Sequence, residues 1–272
     1  MFWIGTAGVP VSSRERSSES GIKRVHELGL NAMEIEFVRG VNMQKPQAEA
    51  VGKTAKGLNV KLSVHAPYFI NLASEEKEKI AASKIRILES ARIGKILGAN
   101  IVVFHPGFYS GLSADEAYAI IRDAVIDIRK KLNEEKNQIL LGPETMGRQK
   151  QFGSVDETLK LCTEVKGVVP VLDFAHVHAR TNGGLKKQQD FADVLNKVEK
   201  TIGKTDLHMH MTGVNYQNGN EKNHLTIDSR QPDFSLLAAE LKRRKINATI
   251  ISESPNLETD ALIFKKLLES KS

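Results

Sequence analysis

Apolar, β-branched runs recur eight times along this 272-residue chain, and a stretch of helical periodicity follows most of them. The runs occupy 2–6 (FWIGT), 32–37 (AMEIEF), 60–65 (VKLSVH), 100–105 (NIVVFH), 138–144 (QILLGPE), 168–173 (VVPVLD), 206–211 (DLHMHM) and 248–253 (ATIISE). One unit every ~34 residues is the length that a right-handed strand–helix–strand crossover needs. Eight such units predict an α/β fold, a closed (β/α)8 barrel forming one domain over residues 1–272, with an open doubly wound sheet as the alternative. No linker, low-complexity tract or internal repeat divides the chain.

Helix faces and ends can be read between the strands. Ala81, Ile85, Leu88 and Ala91 fall on one helical stripe, as do Ala117, Ile121, Ala124 and Ile128, and Leu257, Ala261, Phe264 and Leu268. Ser113 with Glu116, and Ser154 with Glu157, have the spacing of capping boxes. Gly29 and Gly98, each just ahead of a strand, suit helix stops. Two stretches that follow strands, 38–44 and 212–232, read as irregular loops. In a barrel such loops lie on the catalytic face, and one as long as the second is uncommon unless it works.

Composition narrows the setting. No apolar stretch is long enough for a membrane span. The N-terminus, MFWIGTAGVP, has no basic region ahead of a long apolar one, so no signal peptide is expected. The lone cysteine, Cys162, rules out an internal disulfide, suits a reducing, cytoplasmic compartment, and falls on a core stripe with Val155, Leu159 and Val165. A net charge of +6 is compatible with a polyanionic partner.

The acids and histidines are distributed less evenly. His65, His105, Glu144, Asp173, His210 and Glu253 close, or nearly close, six of the eight predicted strands. Side chains at the C-terminal ends of barrel strands point into one bowl. Unpaired carboxylates sharing such a bowl would repel and lose hydration, so divalent cations are the expected counter-charge. Imidazole with carboxylate suits zinc best, with manganese or iron as alternatives. His26, in the first helix, is read as a surface or packing residue.

The motifs HAPYFINLA (65–73), FHPG (104–107), GPETMG (142–147), LDFAH (172–176), HMTG (210–213) and SESP (252–255) occur in the order of the endonuclease IV family. Over nearly its whole length the chain resembles an archaeal-type member of that family, within the xylose-isomerase-like TIM barrel superfamily. The resemblance implies a zinc-dependent, metal-binding hydrolase of DNA base excision repair. Such an enzyme cuts double-stranded DNA on the 5′ side of abasic sites, leaving a 3′-hydroxyl and a 5′-deoxyribose phosphate. It implies three zinc ions, or two if the third site is degenerate. One would be held by His65, His105 and Glu144. A second would be held by Glu144, Asp173, His210 and Glu253, with Glu144 bridging as the catalytic carboxylate. A third would be held by His176. The best-known members complete that third site with an Asp-x-His pair; here EKNH offers Glu221 and His224, spaced three apart. His178 stays open as a ligand or a neighbour, and His208 is read as lying one layer deeper.

Clustered zinc ions suit phosphodiester hydrolysis because they activate water and withdraw charge from the phosphoryl group. The resemblance places DNA-penetrating side chains in the loops after strands two and three, which here supply Arg39, Tyr68 and Phe69. Arg148 and Lys150 could grip phosphate or be merely solvated. The competing reading is a metal-dependent sugar isomerase or epimerase, which would use Glu144, Asp173, His210 and Glu253 around a single ion. That reading leaves His65, His105, His176 and His224 surplus. The expected oligomeric state is a monomer.

Overall fold

The computed structural model describes residues 1–203, 206–244 and 246–270. Eight parallel strands form one sheet: β1 (Phe2–Ala7), β2 (Ala32–Glu36), β3 (Lys61–His65), β4 (Ile101–Phe104), β5 (Leu140–Pro143), β6 (Val171–Asp173), β7 (Leu207–Met211) and β10 (Ala248–Ser252). The strands run in the order β5-β4-β3-β2-β1-β10-β7-β6. Single parallel bridges, Leu141 to Val168 and Glu144 to Val171, join the two ends of that row and close it into a TIM barrel. β6 is shorter than its apolar run, VVPVLD, suggests. Pro170 has no N–H to give to the ladder, so Val168 pairs only as a bridge and the strand begins at Val171.

Helices α1 (Ser18–Glu27), α2 (Lys45–Gly57), α3 (Lys77–Leu97), α4 (Ala114–Glu134), α5 (Val155–Glu164), α7 (Gln188–Ile202), α8 (Phe234–Arg244) and α9 (Glu258–Glu269) surround the barrel, and a short α6 (Phe174–Arg180) follows β6 directly. Both expected capping boxes form, with Ser113 and Ser154 accepting from the amides of Glu116 and Glu157. Gly98 ends α3 in the left-handed conformation. No described helix is long and apolar enough to cross a membrane.

The stripes of α4 and α9 face inward as their periodicity predicts: Ala117, Ile121, Ala124, Ile128, Ala261, Phe264 and Leu268 are buried. The stripe expected for α3 is displaced. Ile85 is 52% exposed, and the buried face is Ser83, Ile87, Ser90, Ala91, Gly94 and Leu97. Small residues let this helix lie close to the sheet. A Cβ on Gly94 would come within 2.7 Å of Ile139 Cδ1 and 3.4 Å of Val64 Cγ2. The buried serines satisfy their hydroxyls locally, Ser83 on the Lys79 carbonyl and Ser90 on the Arg86 carbonyl.

The segment 212–232 is also more ordered than expected. Most of it is an antiparallel hairpin of β8 (Gly213–Gln217) and β9 (Asn220–Leu225). Its two-residue turn is Asn218–Gly219, both at positive φ (52° and 71°), the geometry that an Asn-Gly pair favours. The segment 38–44 is irregular, as its sequence suggests.

The corrected face of α3 yields a paired test by urea unfolding. Gly94→Leu is expected to destabilise by about 3 kcal/mol through overpacking. Ile85→Lys is expected to change stability by less than about 0.5 kcal/mol.

Candidate metal centre

The strands of the barrel end in acids and imidazoles, and these meet around one carboxylate. Glu144, just beyond β5, is fully buried. Its Oε2 lies 3.4 Å from His65 Nε2, at the end of β3, and 3.0 Å from His105 Nε2, just after β4. Its Oε1 lies 3.2 Å from His176 Nδ1 on α6 and 3.1 Å from His210 Nδ1 on β7. Each carboxylate oxygen therefore serves a different pair of rings. His210 Nδ1 also sits 3.2 Å from Glu253 Oε1, and His176 Nδ1 sits 3.5 Å from Asp173 Oδ2.

Within this bowl the candidate ligands sort into sets whose donor atoms lie within 4.8 Å of one another: His65, His105 and Glu144; Glu144, Asp173, His210 and Glu253; and His176, Glu221 and His224. A cation fits the donors present. Asp173 Oδ2 is buried and has no hydrogen-bond partner among the described residues, a costly arrangement for a carboxylate oxygen. The donor chemistry, imidazole with carboxylate, is that of zinc sites.

The rings are braced from behind. His65 Nδ1 lies 2.8 Å from the Ala66 carbonyl, His176 Nδ1 2.8 Å from the Thr145 carbonyl, and His224 Nδ1 3.1 Å from the Glu253 carbonyl. A carbonyl only accepts, so Nδ1 carries a proton in each ring, and Nε2 is the nitrogen left to offer a lone pair once a cation displaces its own proton. This is how metal-binding histidines are usually oriented. The short α6 serves the same end: Asp173 caps it by accepting from the His176 amide at 2.7 Å, which fixes these two residues against each other.

The hairpin explains how Glu221 and His224 act together. On a regular strand, residues three apart point to opposite faces. Here the register shifts: Asn215 pairs with Asn223 but Tyr216 pairs with Glu221, leaving Lys222 as an extra, bulged residue. Val214 and Tyr216 share a face, so their partners His224 and Glu221 do too. That face packs Val214 and Tyr216 on Ala175 and Ala179 of α6. It brings Glu221 Oε2 to 3.4 Å from His176 Nε2 and Glu221 Oε1 to 3.5 Å from His224 Nε2. Gly147 makes room beneath, where its carbonyl accepts from the Glu221 amide.

Charge is crowded throughout. Burial alone would push His65 down, but Glu36, Glu144 and Glu34 carry it up to about 10. Burial raises Asp173 to about 6, with Glu144 adding to the rise. Burial likewise raises Glu36 to about 8 against the opposing influence of His65. Glu221 goes the other way: burial is outweighed by His224 and His176, which hold it at about 2. Glu221 and the imidazoles thus favour one another's charge, while burial works against charge on Asp173 and Glu36, a conflict that a bound cation would relieve.

The remaining sequence candidates lie at the rim or elsewhere. Tyr68 stacks on His105 with ring centroids 5.6 Å apart, and Phe69 beside it is 65% exposed. Arg39 is exposed on the loop after β2. Arg148 borders a cavity of about 260 Å³ over the centre, shared with Tyr68, His105 and His224. A neighbouring cavity of about 500 Å³ between the loops after β1 and β2 is lined by Arg16, Arg39, Asn42 and Gln47. Lys150 and His26 are exposed. His178 turns away from the centre: its Nδ1 accepts from the Leu185 amide, and its ring meets Tyr216 edge-on.

Sequence reasoning overlooked Glu34 and Glu36. Two acids spaced by two within the apolar strand AMEIEF place two carboxylates on one face of β2, and that alternation is the signal that could have found them. Glu34 is fully buried, with Oε2 3.1 Å from His208 Nε2 and Oε1 2.8 Å from His210 Nε2. Tyr68 O–H reaches toward Glu36 Oε2 at 3.5 Å.

A sequence profile of the xylose isomerase-like TIM barrel family matches residues 22–270. An uncharacterised protein of Methanocaldococcus jannaschii is 38% identical, covering 98% of this chain and 96% of its own length. A protein of Staphylococcus saprophyticus named "Probable endonuclease 4" is 30% identical over 55% of this chain, which spans about half (50%) of that relative. An "Apurinic-apyrimidinic endonuclease 1" of Plasmodium falciparum is 25% identical over 74% of this chain and 34% of its own length. Among solved structures, endonuclease IV from Thermus thermophilus aligns with a TM-score of 0.75 at 18% identity, covering 98% of this chain and 99% of that one. A D-tagatose 3-epimerase-like protein aligns with a TM-score of 0.71 at 20% identity, covering 97% and 96%. These structural likenesses concern the fold.

The close approach at Gly147 supplies a test. A Cβ there would stand 2.9 Å from His176 Cδ2 and 3.0 Å from Glu221 Cβ. Gly147→Ala, like His224→Ala, is expected to lower the divalent-metal content of purified protein, measured by elemental analysis. Unchanged metal content in both variants would remove the hairpin from the candidate centre.

Proposed function

The chain belongs to the xylose isomerase-like TIM barrel family, and we propose that within it the protein is a zinc-dependent endonuclease that hydrolyses DNA on the 5′ side of abasic sites. The observation that carries this reading is the division of Glu144 between two pairs of imidazoles, His65 and His105 on one oxygen, His176 and His210 on the other. A single ion needs only Glu144, Asp173, His210 and Glu253. The surplus rings, with Glu221, fit a cluster of ions.

His65, His105 and Glu144 would hold one zinc; Glu144, Asp173, His210 and Glu253 a second; His176, Glu221 and His224 a third. When bound, the cations supply Lewis acidity, making water nucleophilic near neutral pH and drawing charge off the phosphoryl group. Glu144 holds the first two sets in fixed relation and orients the attacking water from its shared position. Carbonyl-braced His65, His176 and His224 keep their Nε2 lone pairs aimed inward without reorganisation.

The rim suits a damaged duplex. Val11, Val38, Tyr68, Phe69 and Phe108, all on loops that follow strands β1 to β4, expose apolar surface on the same end of the barrel as the centre. Apolar wedges of this kind fill a gap in a base stack, which an abasic site already provides. Arg16 and Arg39 beside the neighbouring cavity, with Arg148 over the centre, are placed to meet phosphates. The names of relatives of Staphylococcus saprophyticus and Plasmodium falciparum support the same reading. A sugar epimerase on this barrel is the second reading, favoured by the single-ion quartet and by the epimerase-like structural neighbour.

The deciding assay uses a duplex oligonucleotide carrying a tetrahydrofuran abasic analogue, without added magnesium. The expected result is a cut 5′ to the lesion that leaves a 3′-hydroxyl, with the rate lowered by about 10³ or more in Glu144→Gln. Phe69→Ala is expected to weaken lesion binding about 10-fold, the worth of one aromatic stacking contact. No cutting by protein that retains one ion per chain and epimerises a ketose would establish the second reading instead.

A further inference from the structure

Among the imidazoles assigned to the metal centre, His210 is braced differently. His65, His176 and His224 each turn Nδ1 to a backbone carbonyl and Nε2 to the bowl. His210 is reversed: Nδ1 faces Glu144 and Glu253, and behind it Nε2 lies 2.8 Å from Glu34 Oε1. Its backing group is therefore a carboxylate from another strand. Neither Glu34 Oε1 nor His210 Nε2 has an aligned hydrogen bond among the described residues, so each faces the other as its nearest partner.

Glu34 is in turn fixed from the opposite side. Its Oε2 takes His208 Nε2 at 3.1 Å, and His208 and His210 lie two apart on β7, on the same face of the strand. All three side chains are buried, Glu34 completely. A TIM-barrel interior is normally packed with branched apolar residues, and a carboxylate placed there is destabilising unless charge and hydrogen bonds offset it. Packing does not call for an acid at this position. An imidazole whose outer nitrogen must bind a cation does, because a carboxylate behind it fixes the tautomer and raises ligand basicity.

We infer that Glu34 is a positioning residue of the metal centre: with His208 holding its other oxygen, it secures His210 with Nε2 protonated and the Nδ1 lone pair turned to the ions. The inference rests on the multi-ion reading given above and adds a residue to it. Glu34 touches neither substrate nor ion in this role and acts only through His210.

The test is zinc binding by the full chain, followed by competition with a colorimetric chelator, alongside the melting temperature of zinc-free protein. Glu34→Gln keeps the shape and removes the charge. The expected result is an unchanged number of ions at saturating zinc, with one binding step weakened by about 10- to 100-fold and the others unaltered. A merely structural role would lower the zinc-free melting temperature and leave the separate steps alone. His208→Gln, which leaves Glu34 in place, is expected to weaken the same step by a smaller factor and keeps the inference testable if Glu34→Gln does not fold. Equal zinc affinity in wild type and both variants would overturn the inference while leaving the multi-ion reading intact. Loss of a whole ion on Glu34→Gln would also overturn it, because Glu34 would then be a ligand itself. Wild-type protein that retains no zinc would overturn both.

Discussion

The contact on which the rest depends is that of one buried carboxylate, Glu144, with four imidazoles drawn from β3, the loop after β4, α6 and β7. A carboxylate in a barrel interior is costly unless its charge is matched, and four rings around two oxygens are more than hydrogen bonding requires. The arrangement becomes economical when cations occupy the spaces between. The fold then reads as the means of delivering ligands: parallel strands end on one level, and their last inward residues meet without long loops.

Two local devices extend this delivery beyond the strand ends. After β6 the chain turns straight into a seven-residue helix capped by Asp173, so a strand-end acid and a helix imidazole share one rigid corner. After β7 a bulged hairpin reaches across the bowl, and the single extra residue, Lys222, turns Glu221 and His224 to the same face. The spacing of three, which looks like a defect in the sequence, is the spacing a bulge makes useful.

The barrel is legible in the sequence because its signal is repeated: eight apolar runs, each spaced to leave room for a helix, favour alternating strand–helix units, and the count of eight favours closure over an open sheet. His65, His105 and His210, which meet around Glu144, can be named for the same reason, since a strand end on a barrel fixes direction, whereas His176 on α6 is reached only through the family resemblance. Three things are not legible. The face of α3 escapes a reading by periodicity because buried serines and a glycine outrank Ile85 where a helix must approach the sheet closely. The hairpin resembles a loop despite its Asn218–Gly219 turn, because its strands are short and polar, with Val214 and Tyr216 alone alternating on β8 and no apolar alternation on β9. The alternation of Glu34 and Glu36 marks an acidic inner face of β2, but the partners that give Glu34 its role, His208 and His210, stand across the barrel and are not legible in that strand.

The direct measurement is anomalous diffraction at the zinc absorption edge from crystals of the metal-loaded protein. The account predicts two peaks about 3.5–4 Å apart on either side of the Glu144 carboxylate, the separation typical of paired catalytic ions, and a third among His176, Glu221 and His224. A single peak held by Asp173, His210 and Glu253, with His65 and His105 bearing no ion, would contradict it.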